Sequence, residues 1–319
     1  MKILIVGGGG YVGTELCEEL LRCGHELKVI DAFICGNIEF TEDYPTVIKD
    51  AWLCTVDDFR GFDRVIFLAG ISNDPMADSD PATNFKDNAG LPVYIAFLAK
   101  QAGVPRFIYA STCSVYGFVS GKFSLETDQP VSNYPYGISK LSGERGCLQM
   151  ADDTFSVIAL RKGTVCGRSK RMRYDLVINT MVKNAISTGI ISVHNPDLMR
   201  PIVDMRDAVR AYVIAVESHN PESGAYNIVS YNVSIGELGI KVKAQCQKSG
   251  IICELNVQHK DDFRSYVASN HKAYEKLGFC ARYDVYDTAE SAISHAKECE
   301  DVNDDKYQNI AMFKRYHGK

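Results

Sequence analysis

The sequence predicts an α/β fold, a doubly wound parallel sheet with a smaller C-terminal lobe. Three observations carry that prediction. A short apolar run, Lys2-Ile-Leu-Ile-Val6, stops at a glycine-rich turn and leads into a helical pattern. Apolar runs and amphipathic stretches then alternate as far as Leu160. Beyond Gly163 that rhythm breaks. Strand–helix alternation of this kind is the pattern of parallel strands joined by crossover helices.

Each element has its own signal. Residues 2–6 are continuously apolar and closed by glycine, as a buried parallel strand requires. Val12, Leu16, Leu20 and Leu21 fall on one side of a helix that ends near Gly24. Leu27 to Ile30 reads as the second strand, ending at Asp31, and Val47-Ile48 as a short third. Arg64-Val-Ile-Phe-Leu68 is the fourth, and a long helix over roughly 83–103 is punctuated by Gly103-Val-Pro. Arg106-Phe-Ile-Tyr-Ala110 is the fifth strand, the helix carrying Tyr136 follows, and Phe155 to Leu160 is the sixth strand. Residues 1–163 are therefore expected to form the sheet domain, with a return segment near 200–230. Residues 164–319 form mainly the smaller lobe and a charged tail, expected to be loosely held.

Composition narrows the function. The chain has 319 residues, 46% apolar and 24% charged, as expected of a soluble globular enzyme. A net charge of -5 gives no support to a nucleic-acid partner. No apolar run approaches the roughly 18 residues of a membrane span. The N-terminal apolar run has no charged lead or small-residue cleavage site, so it reads as a strand and not a signal peptide. The eleven cysteines are scattered with no Cys-x-x-Cys pair. That argues against a disulfide framework or metal site and for reduced thiols in the cytoplasm.

The chemistry-bearing motifs lie at the ends of the expected strands. Gly7, Gly10 and Gly13 have G-x-x-G-x-x-G spacing between a strand and a helix. Such a turn brings backbone close to a dinucleotide pyrophosphate at the helix N-terminus. Asp31, at the end of the second strand, is placed to accept hydrogen bonds from an adenosine ribose and to repel a 2′-phosphate. No Arg or Lys occurs from 32 to 40, which favours NAD over NADP. Tyr136 and Lys140 stand one helical turn apart on one face. An ammonium close to a phenol favours the phenolate, which makes a general base for an alcohol.

These motifs, with Leu68-Ala69-Gly70, Asn88, Ser111-Thr112-Cys113-Ser114-Val115-Tyr116-Gly117 and Arg200-Pro-Ile-Val-Asp204, follow the order seen in extended short-chain dehydrogenases/reductases. The chain resembles that group's nucleotide-sugar epimerase/dehydratase family as far as about residue 296, which implies a Rossmann-type sheet. The resemblance implies that Tyr136 is the base, that Lys140 holds the nicotinamide ribose and tunes Tyr136, and that Thr112 bonds the reacting hydroxyl. It implies NAD contacts at Gly7, Gly10, Tyr11, Val12, Gly13, Asp31, Asp50, Ala51, Leu68, Ala69, Gly70, Asn88, Ser111, Tyr136 and Lys140. Two positions depart from the family pattern: Lys49 stands where Gly is usual, and Phe67 where His is common.

The substrate side is read partly from the residues. Ser72-Asn73-Asp74-Pro75 follows the fourth strand and either caps a helix or lines the pocket. Arg168, Lys170, Arg171 and Arg173 form the densest basic stretch, from which Arg171 and Arg173 are candidates for a substrate diphosphate. Arg200 and Arg264 match family positions that contact that diphosphate. Thr164 stands where relatives have a substrate-binding Asn, and the stretch from there to Arg200 is short. Cys113 and Ser114 replace the Asp-Glu pair of 4,6-dehydratases and are expected to line the pocket. Their side chains supply no acid/base pair for water loss.

The expected activity is an NAD-dependent nucleotide-sugar epimerase acting at C4 through a transient keto-sugar. The alternative is a 4-dehydrogenase or ketoreductase. A dehydratase, or a non-catalytic NAD-binding sensor, stands behind both. The expected partner is a nucleotide-diphosphate sugar. A homodimer is expected through the helices near 88–103 and Tyr136, using Leu91, Ile95, Leu98, Leu141 and Leu148 unless these face the sheet.

Overall fold

The computed structural model describes residues 1–35, 43–119, 121–259 and 265–318. Its first part runs β1 (Lys2–Val6), α1 (Tyr11–Arg22), β2 (Glu26–Asp31), β3 (Thr46–Ile48), β4 (Arg64–Phe67), α2 (Asp74–Ser79), α3 (Pro81–Phe85), α4 (Leu91–Gln101), β5 (Arg106–Thr112), β6 (Phe123–Ser124), α5 (Pro135–Leu148) and β7 (Ser156–Lys162). The chain continues through β8 (Thr164–Cys166), α6 (Val177–Thr188), β9 (Ile190–His194), β10 (Met199–Asp204), α7 (Met205–Glu217), β11 (Gly224–Ile228) and β12 (Tyr231–Ser234). It ends with α8 (Ile235–Lys248), β13 (Glu254–Gln258), β14 (Val267–Ala268), α9 (His271–Leu277), α10 (Val285–Glu298) and α11 (Asn309–Tyr316).

Seven strands form a wholly parallel sheet in the order β11-β7-β5-β4-β1-β2-β3. Strand order reverses between β1 and β4, which opens a crevice at their carboxyl ends. Alternate residues of each strand face opposite layers. Ile3, Ile5, Val29, Ile66, Ile108 and Ile158 join one core, while Leu4, Val6, Ile30, Val65, Phe67 and Phe107 join the other. Burial on both faces explains why these strands read as unbroken apolar runs.

β11 belongs to this sheet, although it lies well past Gly163. The smaller lobe contains the sheet β12-β10-β8 and the parallel pair β13–β9, while β14 reaches back to pair with β6.

The helix expected over 83–103 is two helices joined by a one-turn π-helical segment at Lys86–Gly90. Pro92 has no N–H for the carbonyl of Asn88, so the ladder widens and Leu91 N–H reaches Lys86 instead. The freed Asn88 carbonyl accepts a 3.4 Å hydrogen bond from the Tyr109 hydroxyl. Gly143 of α5 passes so close that a Cβ there would stand 2.2 Å from the same oxygen.

Two further expectations are corrected. Leu91, Ile95 and Leu98 are buried against the sheet with Leu148 beside them, and Leu141 packs beside Cys113. Phe97 and Ile138, 48% and 38% exposed, are instead the outward apolar residues of α4 and α5. The charged tail is not loosely held. It forms α11, whose Phe313 is buried among Ile71, Met76 and Ala77, with Ile34, Tyr136 and Ile310 packed alongside.

Candidate active site

The site starts at the turn after β1. A Cβ on Gly7, whose φ is +88°, would lie 2.4 Å from Ala69 N, so only glycine lets this turn pass the end of β4. Gly10 caps α1 without a side chain, and Tyr11, Val12 and Gly13 of its first turn line the cavity. Asp31 accepts hydrogen bonds from Gly9 N–H at 2.8 Å and Phe33 N–H at 2.7 Å. Burial pushes its carboxyl pKa up against the pull of these N–H groups and of Arg171.

A cavity of about 530 Å³ lies against this turn. Asp50, Ala51 and Trp52 line it. So do Leu68, Ala69, Gly70, Ser111 and Thr112, together with Tyr136, Lys140, Thr164 and Arg200. Its size is within the range of about 300–1,000 Å³ typical of ligand sites.

Thr112 is the last residue of β5, and its Oγ1 accepts Ser114 N–H at 3.1 Å. Pro135 fits the first position of α5, where a missing N–H costs nothing. Tyr136 follows it and lines the cavity with Thr112. Lys140, one turn on, sets its Nζ over the Tyr109 ring at 4.3 Å.

Burial dominates both ionisable groups. It pushes the Tyr136 phenol up, with Asp74 adding to the rise, while Arg173 and the Thr112 hydroxyl oppose it. It pushes the Lys140 ammonium down to about 7. Lys140 is not among the largest influences on the phenol, which are led by burial, Asp74 and Arg173. A bound, positively charged nicotinamide adds the charge that favours phenolate.

Lys140→Met is accordingly expected to raise the melting temperature of the cofactor-free protein at pH 7. Lys140 has its lowered pKa only when folded, so charging it opposes folding. That cost is complete below about 7 and fades as pH rises toward the unfolded value of 10.5. The wild type should gain stability over that window and the variant should lack one proton's worth of the slope. Turnover should fall roughly 10²-fold. Melting curves from pH 6 to 10 with parallel rate assays check both; a variant that melts lower at pH 7 and keeps the wild-type slope counts against the buried ammonium.

The remaining candidates separate. Ser72, Asn73, Asp74, Ser114, Thr164, Arg171, Arg173 and Arg200 line the cavity. Asn73 also caps α2, accepting Met76 N–H at 3.0 Å. Arg173 is engaged by Asp175 through two bonds of 2.9 and 2.8 Å, and Asp175 also accepts from Asn73. Arg264 lies outside the described residues. Cys113 is not on the wall: it is fully buried and its thiol donates to Arg161 O at 3.1 Å. Asn88 is also fully buried, one layer back, and its amide holds Ile71 O and Asn84. Ser111 turns its hydroxyl to Glu144 at 2.5 Å and so meets the cavity with its remaining atoms.

Sequence reasoning missed Lys162, Trp52, Tyr266 and the inner face of α11, all on the cavity wall. Lys162 had a usable signal. It ends β7 as Thr112 ends β5, and the two are register partners. Its ammonium donates to the Tyr212 hydroxyl at 2.8 Å and to Ser111 O at 3.1 Å.

A parallel sheet with a glycine turn at its switch point, and a Tyr–Lys pair facing the same cavity, defines an NAD-type oxidoreductase scaffold. The chain belongs to the NAD dependent epimerase/dehydratase family, whose model matches residues 3–229. The UDP-glucose 4-epimerase of Lacticaseibacillus casei is 26% identical over 316 residues, covering 90% of this chain and 94% of that protein. MoeE5, solved with UDP-glucuronic acid and NAD, is 25% identical, with a TM-score of 0.83 over 93% of this chain and 99% of that one. The NAD complex of the UDP-glucuronic acid 4-epimerase from Bacillus cereus is 25% identical with a TM-score of 0.81, covering 93% and 99% of the two chains. NAD is thus the cofactor of this enzyme family, and the residues here fit it: the uncapped α1 N-terminus, the close approach at Gly7 and the carboxylate of Asp31 are all on the cavity wall. No helix among the described residues is long and apolar enough to cross a membrane.

Proposed function

We propose that this protein interconverts C4 epimers of a UDP-sugar. The observation that carries the reading is that Thr112, Tyr136 and Lys140 line the same cavity as the glycine turn. NAD supplies the acceptor and donor of hydride. Tyr136 removes the O4 proton and later returns it, and Thr112 orients the hydroxyl. Lys140 holds the nicotinamide ribose. Arg200, with Ser72, Asn73, Asp74, Ser114 and Thr164, takes the sugar diphosphate. The relatives' substrates support UDP as the carrier. The absence of carboxylates at 113 and 114 argues against 4,6-dehydration.

The test is NMR of purified protein with UDP-glucose and, separately, UDP-glucuronic acid. The expected result is the C4 epimer without accumulation of NADH. Stoichiometric NADH would establish a dehydrogenase, and NAD uptake with no turnover of either sugar would establish a sensor.

The outward Phe97 and Ile138 support a homodimer through α4 and α5. A monomer by light scattering at micromolar concentration would count against it. The eleven free cysteines support a reducing compartment, the cytoplasm. Persistence of eleven reactive thiols after denaturation of protein isolated without reductant is the check.

A further inference from the structure

We propose that Arg171 is a cofactor residue whose guanidinium binds the pyrophosphate of NAD over the N-terminus of α1, and that Asn309 of α11 positions it there. The proposal rests on the NAD reading above and reassigns Arg171 from the substrate side.

The chain has no Arg or Lys between Lys28 and Lys49, so the segment after β2 carries no cation for a dinucleotide. A cation for the pyrophosphate has to come from elsewhere. The segment Gly167 to Arg171 is fastened onto the first turn of α1. Tyr11 donates its hydroxyl to Gly167 O at 2.7 Å, and Ser169 donates to Tyr11 O at 2.7 Å. Ser169 also lies 3.0 Å from the Thr14 hydroxyl, and Lys170 N–H meets Glu15 at 2.7 Å. These bonds hold Arg171 beside the turn that receives phosphate.

Arg171 is 4% exposed and lines the cavity. One terminal nitrogen donates to Asn309 Oδ1, and the other reaches Cys35 O at 3.4 Å. Its Nε is buried with no hydrogen-bond partner. Among the described basic residues on the cavity wall it alone has such an unmet donor. Among the described residues no carboxylate is bonded to its guanidinium, in contrast to Arg173, which Asp175 holds in a fork. A buried guanidinium with an unmet N–H favours an anionic acceptor, and a diphosphate offers bidentate recognition.

Asn309 completes the geometry. Its Oδ1 takes Arg171, and its Nδ2 donates to Ser72 Oγ at 2.8 Å. Phe313 anchors the same helix in the cluster that also contacts Tyr136. The C-terminal helix thus fixes where the cation stands.

NAD and the UDP-sugar both carry a diphosphate, so the test separates them. Calorimetry follows NAD binding to cofactor-stripped protein, adenosine binding to the same protein, and UDP binding to NAD-loaded protein. Arg171→Gln should bind NAD roughly 30-fold or more weakly, the loss typical of a truncated buried charge pair. Adenosine and UDP affinities should hold. Arg171→Lys should regain part of the loss as a point charge. Asn309→Ala, which keeps the cation, should weaken NAD several-fold. NAD affinity within twofold of wild type in Arg171→Gln overturns the proposal, as does a loss confined to UDP. Should Arg171→Gln not fold by circular dichroism, Asn309→Ala decides the matter: unchanged NAD affinity overturns it. A wild-type protein that takes up no NAD fails the cofactor reading itself, a result distinct from either variant's.

Discussion

Tyr136→Phe is expected to lower epimerisation roughly 10²–10⁴-fold, the usual contribution of a positioned proton-transfer group. The substitution removes one oxygen and keeps the ring that packs beside Ile71, Met76 and Phe313. Loss of that single hydroxyl should therefore cost only about 1 kcal/mol of stability. The pH dependence gives an independent reading. Burial raises the phenol's pKa, and the base form is the deprotonated one, so wild-type turnover should fall as pH falls. Residual activity of the variant should lack that acid limb. Rate–pH profiles on NAD-loaded protein check this, with melting curves as control. A folded Tyr136→Phe within tenfold of wild-type turnover would falsify the proposed base.

The fold was legible in the sequence where burial leaves a period. β1 and β5 lie under helices on both faces and so read as continuous apolar runs. The glycine turn was legible because backbone contact at Gly7 admits no side chain. The break before α4 was not, because Pro92 suits an early helical position and its effect falls on a carbonyl four residues back. The dimer candidates failed for a related reason: in Leu91, Ile95 and Leu98 periodicity marks a stripe, not which side covers it. The basic stretch shows the limit most clearly. Arg168 pairs with Glu298, Lys170 with Glu18 and Arg173 with Asp175, and only Arg171 presents an unmet donor to the cavity. Four nearby cations look alike in sequence, yet Glu298 lies on α10, Glu18 on α1 and Asp175 only two residues from Arg173. α11 was obscured by its own charges, since only Asn309, Ile310 and Phe313 need to face inward to seat it.

Glu144→Leu is expected to cost about 3–5 kcal/mol of stability, because it strands a buried arginine. Glu144 and Arg161 are 1% and 5% exposed. Burial alone would lower the Arg161 pKa, yet the hydrogen bonds and charge of Glu144 outweigh it and raise it. Arg161 reaches one carboxylate oxygen at 2.6 Å, and its Nε meets the other at 2.9 Å. A second arm donates to the Tyr116 hydroxyl at 2.8 Å, which passes a 2.8 Å bond to Asn227. Ser111 adds its hydroxyl to Glu144. The network thus ties α5, one turn beyond Lys140, to the ends of β5 and β7, beside Thr112 and Lys162. It fixes the separation of Thr112 from Tyr136, so the folded fraction of the variant should also turn over slowly. Replacing both partners, as Glu144→Leu with Arg161→Met, removes the stranded charge and should recover most of the stability without restoring the rate. Urea unfolding of the two single variants and the double variant measures the coupling. Additive losses, with the double variant the least stable of the three, would show that the pair does not act as a unit.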